Sequence, residues 1–392
     1  MDATPAEAPA TESAPELTAK QLADAKAYGN AKLTCRVIDL VIDFSFLIAI
    51  AFLAAEPLDR WLTHSCGLQS AWLRLMSLFL LVAVLHELIS LPLNFYSGYM
   101  LEHKFGLSRQ SIVRWLCRSL LQHALVTVFG LLMVSGMFAL IWYVGPWWWF
   151  VAAAAAFLVS VLLGQLVPVL VLPLFYKIER LEDADLLARF TSLTAGTTLS
   201  IQGVYRMQMS SETSKANAML AGMGRTRRVI LGDTLLDEFQ EDEIAVVLAH
   251  EIGHHVFGHI TKLVVLGAIM SILNFWLCDL ALRWTSTQAV FSYAAVPVSV
   301  LPLLLLIITT LSFVASPLQN ALSRHFERQC DWYALEQTQL VDAYRSAFTK
   351  LARLNKADPA PHRLEVFLTH DHPPINERLA MAERFRDQLP QA

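Results

Sequence analysis

The stretch Ala249-His250-Glu251-Ile252-Gly253-His254-His255 places two histidines four residues apart, with a glutamate directly after the first. Residues four apart on an α-helix lie on one face, about 6 Å apart along the axis. Two imidazoles in this arrangement can bind one zinc ion. Glu251 then lies beside the open coordination position, where a carboxylate can take a proton from water.

The flanking residues predict that this stretch is helical. The acidic residues before it suit the positive end of a helix dipole: Asp237, Glu238, Glu241, Asp242 and Glu243. An apolar face follows at helical spacing: Ile244, Val247, Leu248, Ile252 and Val256. With twelve histidines in the chain, the H-E-x-x-H pattern arises by chance in about one or two sequences in a hundred, so a zinc site requires a third ligand.

The composition indicates a membrane protein. The 392 residues are 55% hydrophobic and 16% charged, and the mean hydropathy is +0.46. A soluble domain this apolar would expose large apolar patches, so a multi-pass membrane protein fits better. The net charge of −4 comes without a basic run, which argues against a nucleic-acid partner. The five scattered cysteines predict neither a disulfide framework nor a cysteine zinc site.

Six apolar spans are long enough to cross a hydrocarbon core of about 30 Å: residues 37–55, 71–97, 119–143, 146–174, 260–284 and 289–316. They divide the chain into a partly disordered polar segment (1–35), four membrane helices (36–176), a catalytic insertion (177–259), two further membrane helices (260–317) and a C-terminal catalytic segment (318–392). Within the first segment, a short surface helix is predicted near 17–32. The predicted fold is an α-helical multi-pass membrane protein with a metalloprotease domain at one membrane face.

The distribution of lysine and arginine predicts the orientation. Basic residues flank the first span and fill the segment between the second and third: Lys20, Lys26, Lys32, Arg36, Lys104, Arg109, Arg114 and Arg118. The opposite side carries little more than Arg60, Arg74 and Arg283. Both termini and both polar segments are therefore predicted on the cytoplasmic side, of the inner (plasma) membrane in a bacterium or of the endoplasmic reticulum in a eukaryote.

Ionisable residues interrupt the predicted spans: Asp39, Asp43, His86, Glu87, His123 and Asp279. Charged groups at membrane depth face protein or water rather than lipid. Two interpretations stay open, namely hydrogen bonding between helices or the lining of a wet cavity.

The insertion contains three short β-like runs, at residues 203–209, 216–222 and 227–231. They predict a small sheet beside the zinc helix. A protease can hold an extended peptide by adding it to the edge of such a sheet.

A third ligand is available after the sixth span. Glu327 and Asp331 are four residues apart and project from one helix face. Such a pair is usually a solvated helix surface, but beside H-E-x-x-H it suggests a His–His–Glu zinc site with one open position. Asp331 can then orient a ligating histidine through its second ring nitrogen.

These motifs resemble those of the type I CAAX prenyl endopeptidases, and the chain resembles a bacterial-type homologue of that family. These are integral-membrane zinc metalloproteases that cut C-terminal to a prenylated cysteine. The matching pieces occur in the family's order, from about residue 70 onward, and include residues 217–218, 227–231, 233–236, 248–254, 258–259, 323–331, 371–374 and 377–379.

The resemblance implies a role for each site residue. His250, His254 and Glu327 bind one zinc ion, Glu251 is the general base, and Asp331 supports a ligand. His372 stabilises the oxyanion, Arg378 holds substrate, and Asn217 with Ala218 belongs to the strand that pairs with substrate. The family commonly has seven spans around a water-filled chamber, whereas six are found here. Met219 and Cys330 also depart from the family pattern.

The other histidines near the motif are expected to be poor ligands. His255 points about 100° away from the ligand face of the helix, and His259 lies about half a turn from His250. His325, His362 and His370 are expected to be structural or surface residues, with His370 the best substitute for His372.

The predicted function is membrane-embedded, zinc-dependent endopeptidase activity on a peptide or protein, prenylated if the resemblance extends to specificity. Two alternatives stay open. One is a membrane quality-control metalloprotease for misfolded proteins. The other is a non-enzymatic scaffold or transporter in which the motif binds structural zinc.

Overall fold

The computed structural model describes residues 17–195, 201–222, 227–285 and 291–390. The predicted disorder at the start of the chain falls on residues outside these ranges. The helices of the N-terminal half are α1 (Ala19–Ala49), α2 (Ala55–His64), α3 (Ala71–Phe95), α4 (Leu101–Lys104), α5 (Ile112–Val144), α6 (Trp148–Leu166), α7 (Leu172–Phe175) and α8 (Ala184–Thr194). Short π-helical turns join α1 to α2, α3 to α4 and α6 to α7.

The C-terminal half is also mainly helical. Its helices are α9 (Asp233–Glu238), α10 (Glu241–Val256), α11 (His259–Thr285), α12 (Leu301–Thr338), α13 (Val341–Asn355), α14 (Arg363–Thr369) and α15 (Ile375–Arg386). The strands are β1 (Lys177–Arg180), β2 (Ile201–Gln208), β3 (Ala218–Ala221) and β4 (Arg227–Gly232).

Five helical stretches of the described chain are long and apolar enough to cross a membrane: Ala19–His64, Ala71–Lys104, Ile112–Phe175, His259–Thr285 and Val298–Thr338. The third has 64 residues and would span about 96 Å if straight, three times a hydrocarbon core. It is broken at Gly145, whose φ is 69°, and α5 packs against α6 beyond the break. Counting α5 and α6 as separate crossings gives the six that the sequence predicts.

The bounds of the first and last spans differ from the prediction. The expected surface helix near 17–32 and the first span form one continuous helix, which begins at a capping box on Thr18. The last membrane helix begins at Leu301 rather than near 289, because two 3₁₀ turns, Tyr293–Ala295 and Val298–Val300, precede it. The helix α12 then continues unbroken to Thr338. The boundary predicted between residues 317 and 318 therefore lies inside a helix that carries the membrane span and Glu327 together.

The four strands form one mixed sheet in the order β1-β2-β4-β3. β1 and β3 are antiparallel to their neighbours, and β2 runs parallel to β4. The three predicted strands are present within a few residues of their expected bounds. β1 was missed because Lys-Ile-Glu-Arg is short, polar and mostly exposed, and therefore lacks an apolar pattern. β3 lies at the edge of the sheet.

The polar residues of the membrane helices form pairs. His86 Nε2 lies 2.7 Å from Asp43 Oδ1, and His123 Nε2 lies 2.9 Å from Glu87 Oε2. Each pair joins two different helices, which supports the hydrogen-bonding interpretation. Asp39 differs, because it lines a cavity that His250 and Glu251 also line.

Candidate active site

The helix α10 carries His250, Glu251 and His254. It begins with a capping box, in which Glu243 accepts a hydrogen bond from the backbone N–H of Gln240 at 2.7 Å. Lys350 donates to the same carboxylate at 2.7 Å, which fixes the helix start to α13. The helix ends at Val256, and Gly258 has a φ of 65°, a left-handed conformation that favours glycine and stops helices.

Close packing of α10 on α12 brings the third carboxylate into place. A Cβ at Gly253 would lie 3.1 Å from Cys330 Cα and 3.2 Å from Cys330 Sγ. These distances are tighter than ordinary van der Waals contacts, so a larger residue would push the two helices apart by a few tenths of an ångström. Because Glu327 lies one turn before Cys330 on α12, its side chain reaches the histidine face of α10.

The three predicted metal ligands converge. His250 Nε2 lies 3.2 Å from Glu327 Oε2, and His254 Nε2 lies 3.2 Å from Glu327 Oε1. One ligand atom from each residue can be chosen so that all three lie within 4.8 Å of one another. Two ligand atoms bound about 2.05 Å from a tetrahedral zinc ion are about 3.4 Å apart, so the spacing suits one ion.

The electrostatics of the site also favour a cation. Glu327 is 3% exposed, and its Oε2 has no hydrogen-bond partner among the described residues. A buried carboxylate oxygen without a partner is costly. Burial would lower the pKa of His250, but Asp331 and Glu327 raise the pKa of this imidazole to about 9. Two carboxylates beside one imidazole stabilise positive charge here, so the residues present fit a zinc ion.

His250 is oriented from behind by Asp331. Its Nδ1 lies 3.0 Å from Asp331 Oδ1, and the same oxygen accepts a hydrogen bond from Arg378 Nη2. The Arg378 guanidinium stacks 3.7 Å from the centre of the Phe348 ring. Because a carboxylate only accepts hydrogen bonds, Nδ1 carries a proton toward Asp331, and Nε2 is the nitrogen that would bind a zinc ion.

His254 is oriented from behind by another histidine, His259. The two Nδ1 atoms are 3.3 Å apart, and His259 Nε2 lies 2.9 Å from Gln329 Oε1. The amide oxygen only accepts, so Nε2 of His259 carries the proton and its Nδ1 accepts one from His254 Nδ1. His254 Nε2 is then left with its lone pair toward Glu327.

The predicted position of His259 was wrong for a physical reason. The half-turn estimate assumed that the helix continues, whereas it ends at Val256, and His259 begins α11 and returns beside His254. It is 1% exposed and stacks on Phe326, with ring centres 4.1 Å apart. Gly258, directly before His259, was the sequence feature that could have indicated the end of the helix. With Cys330 Sγ, which lies 3.6 Å from His259 Nδ1, these histidines form a second group of possible ligands.

Glu251 points toward the sheet edge. Its Oε2 accepts a hydrogen bond from the Leu220 backbone N–H at 3.2 Å. On the other side of β3, Asn217 O accepts a hydrogen bond from Gly232 N at 2.9 Å. Backbone groups alternate along a strand, so those of Ala218 and Leu220 point away from β4.

The start of this edge is held by Asn355, which sequence reasoning missed. Its Oδ1 accepts from Ala216 N at 3.0 Å, and its Nδ2 donates to Ala216 O at 3.3 Å. A lone asparagine at a helix end gave no signal for this contact.

His372 approaches the metal ligands from the loop before α15. Its Nε2 lies 3.5 Å from Glu327 Oε2, and its Nδ1 lies 2.9 Å from Asp371 Oδ1. The hydrogen bond with Asp371 raises the pKa of His372, against the opposing effect of burial. His370 lies instead beside Glu365, at 3.5 Å.

One cavity of about 810 Å³ brings the candidate residues together. Its lining includes His250, Glu251, Asn217, Ala218, His372 and Arg378. Arg378 is only 6% exposed, because its guanidinium lies between Asp331 and Phe348. The cavity also extends along α1 as far as Asp39.

Comparison with known proteins decides the family. Residues 180–386, more than half of the chain, match the sequence profile of peptidase family M48. The chain belongs to peptidase family M48. Residues 3–177 of this M48 peptidase match a second profile, described as the CAAX prenyl protease N-terminal region with five membrane helices.

Individual relatives agree. The M48 chain is 27% identical to the "Uncharacterized metalloprotease YhfN" of Bacillus subtilis, covering 93% of this chain and 86% of the relative. It is 28% identical to the "CAAX prenyl protease 1 homolog" of Arabidopsis thaliana, covering 75% and 69%. The crystal structure of S. mikatae Ste24p has a similar fold, with a TM-score of 0.81 at 23% identity, covering 93% of this chain and 89% of that one.

These matches confirm the resemblance to CAAX prenyl proteases and the fold class. The M48 chain is a multi-pass membrane metalloendopeptidase with a small mixed sheet. The scaffold or transporter without enzymatic activity is therefore not supported. The family is zinc-dependent in general, and the His–His–Glu group is a site at which this chain could hold the ion.

Proposed function

We propose that this M48 peptidase hydrolyses peptide bonds within the cavity through one zinc ion held by His250, His254 and Glu327. The observation that carries the proposal is the convergence of these three side chains beside Glu251 and the free edge of β3. When bound, zinc supplies a Lewis acid that polarises the scissile carbonyl and acidifies water.

Glu251 is the general base of this proposal. It takes a proton from the attacking water and delivers it to the leaving amine. Its hydrogen bond from Leu220 N keeps the carboxylate between the metal site and the edge strand. His372 donates a hydrogen bond to the developing oxyanion, and the raised pKa of its imidazole favours the protonated donor.

The substrate backbone would pair with β3. The outward backbone groups of Ala218 and the carbonyl group of Leu220 offer the hydrogen bonds of an added strand, because the Leu220 N–H already donates to Glu251. Asn217 lies in the cavity wall. The Arg378 guanidinium binds Asp331 through Nη2, and its Nε has no hydrogen-bond partner among the described residues. Because the guanidinium is buried, we assign Arg378 to holding Asp331 behind His250 rather than to direct contact with substrate.

The proposed substrate class is a peptide or protein with a prenylated C-terminal cysteine. The relatives named CAAX prenyl protease 1 support it. The cavity wall also includes residues of α1 and α3, so a lipid chain attached to a bound peptide would lie close to two membrane helices.

A cleavage assay on matched peptides tests the substrate class. One synthetic C-terminal peptide is offered farnesylated and bare, with an unmodified unfolded protein as a third substrate, and the products are identified by mass spectrometry. Preference for the farnesylated peptide, with cleavage after the modified cysteine and no cleavage by Glu251→Gln, supports the proposal. Faster cleavage of the unfolded protein would favour the quality-control alternative instead.

We also propose that both termini and the catalytic side face the cytoplasm, as the distribution of lysine and arginine predicts. A reporter fused to the C-terminus should be inaccessible to impermeant reagents in intact cells. Labelling of that reporter from outside would refute this orientation.

A further inference from the structure

The short helix α14 has two different faces. Leu364, Phe367 and Leu368 share its outer face by their i, i+3 and i+4 spacing, and they are 58%, 49% and 41% exposed. Glu365 and Thr369 lie on the other side and line the catalytic cavity. A contiguous apolar face exposed outside a membrane helix needs a partner.

The helix is fixed to two membrane helices. Side chains of α12 and α1 donate hydrogen bonds to its last carbonyl groups: Asn320 to Leu368 (2.9 Å), Arg324 to Val366 (2.9 Å) and Arg36 to Thr369 (3.2 Å). The depth of α14 in the membrane is therefore set by the positions of these three residues along their helices.

Two membrane helices place these residues at the same boundary. Counted from the start of α12 at Leu301, 20 residues of helix cover about 30 Å and end at Asn320. In the helical stretch that begins with α1, the mainly apolar residues 37–55 between Arg36 and Glu56 number 19, nearly the same length. The rings of Phe44 and Phe313 meet at 5.5 Å, about 11 Å further into the membrane on both helices. The lengths counted along α12 and along α1 both place the end of α14 at the edge of the hydrocarbon core.

We propose that α14 is a membrane-interfacial helix whose apolar face lies in the lipid, at the boundary between headgroups and acyl chains. Amphipathic helices at this boundary bury their apolar face about 5–10 Å deep. On α12, Leu318 and Val314 precede Asn320, which bonds to the end of α14, and they are 71% and 64% exposed. Exposed apolar residues of a membrane helix therefore lie just before the point at which α14 is fixed, which favours lipid over a partner protein.

The consequence for catalysis rests on the proposed function. Only His370 and Asp371 separate the end of α14 from His372, whose Nε2 lies 3.5 Å from Glu327 Oε2. An anchor in the lipid therefore limits the movement of the loop that presents His372. Lipid contact at α14 positions this residue without touching substrate.

Depth measurement tests the lipid contact independently of activity. The exposed Cys66 and Cys117 are replaced by serine, and a nitroxide is attached to Leu368→Cys in the full chain in lipid nanodiscs. Leu318→Cys is the membrane control. Leu22→Cys is the matched control outside the membrane, because Leu22 is 44% exposed and lies about 21 Å along α1 from Arg36.

The label at position 368 should resemble the label at 318, with oxygen accessibility several-fold higher relative to a soluble nickel chelate than at position 22. A ratio equal to that at position 22 would overturn the proposal, and it would do so even if the peptidase is active. A label shielded from both reagents would show that a protein partner, not lipid, covers the face.

A second variant tests the positioning role. Phe367→Asp should lower kcat in nanodiscs about ten-fold while zinc content stays at that of the wild type, because the metal ligands lie on α10 and α12. Leu22→Asp is the matched control and should leave kcat unchanged. Equal kcat for the wild type and Phe367→Asp would refute the positioning role, and loss of zinc from Phe367→Asp would contradict it as well.

Discussion

Replacing His259 by phenylalanine isolates the support behind one metal ligand. Phenylalanine keeps a ring that can stack on Phe326, now 4.1 Å away between ring centres, but it removes the hydrogen bonds to His254 and Gln329. His254 then loses the acceptor that fixes its tautomer and ring orientation. We expect weaker zinc binding with little change in fold.

The expected loss of zinc affinity follows from a comparison of His259 behind His254 with Asp331 behind His250. Loss of a hydrogen-bonded partner behind a metal ligand typically weakens binding about 10- to 100-fold, or about 1.4–2.8 kcal/mol. The His254 side chain is 24% exposed, and its partner is a neutral imidazole. The Asp331 side chain is fully buried and charged. His259→Phe should therefore cost about ten-fold in zinc affinity, and Asp331→Asn closer to 100-fold.

The assay is competition for zinc between the purified protein and a chelator of known affinity. Gln329→Leu should weaken zinc binding less than His259→Phe, because it removes only the acceptor behind His259. Gln329→Glu is the matched control, since a carboxylate still accepts from His259 Nε2. Zinc affinity of His259→Phe within two-fold of the wild type would refute the orientation argument.

The same assay distinguishes the two groups of possible ligands. If His250, His254 and Glu327 hold the ion, Cys330→Ser leaves zinc affinity unchanged. If the cysteine variant loses zinc while Glu327→Gln keeps it, the ion lies instead on the group that contains Cys330.

Three further predictions follow from the site. Glu251→Gln should keep zinc but lower kcat about 10²- to 10⁴-fold, whereas Glu327→Ala should lose zinc. Elemental analysis of zinc content beside the cleavage assay separates the two effects. Normal cleavage by Glu251→Gln would exclude Glu251 as the general base. Gly253→Ala should destabilise the protein by about 1–3 kcal/mol, because the added methyl group meets the α12 backbone; an unchanged thermal unfolding midpoint would contradict the close packing. Asp371→Asn should lower the pKa of His372. Because protonated His372 is lost as pH rises through this pKa, the alkaline fall of kcat/KM should then move to lower pH. An alkaline fall at the wild-type pH would refute the donor role of His372.

The sequence was most informative where structure is local. The H-E-x-x-H spacing places His250 and His254 on one face because the backbone hydrogen bonds of a helix fix its period. The same period puts Glu327 and Asp331 on one face of α12. Membrane class followed from composition alone, because apolar surface on this scale requires lipid. The sheet was predicted except for β1, whose polar residues carry no pattern.

Other features depend on contacts between distant segments, and only the tertiary structure decided them. Glu327 meets His250 because Gly253 lets α10 approach Cys330 on α12. Gly253 and Cys330 are 77 positions apart, and nothing in the sequence around either residue predicts their contact. His259 lies beside His254 because the helix ends before the left-handed Gly258. The estimate from helical periodicity had placed His259 on the opposite face of a continuing helix. Periodicity determines which side chains share a face, whereas the packing of helices determines which faces meet. The metal site therefore needed both.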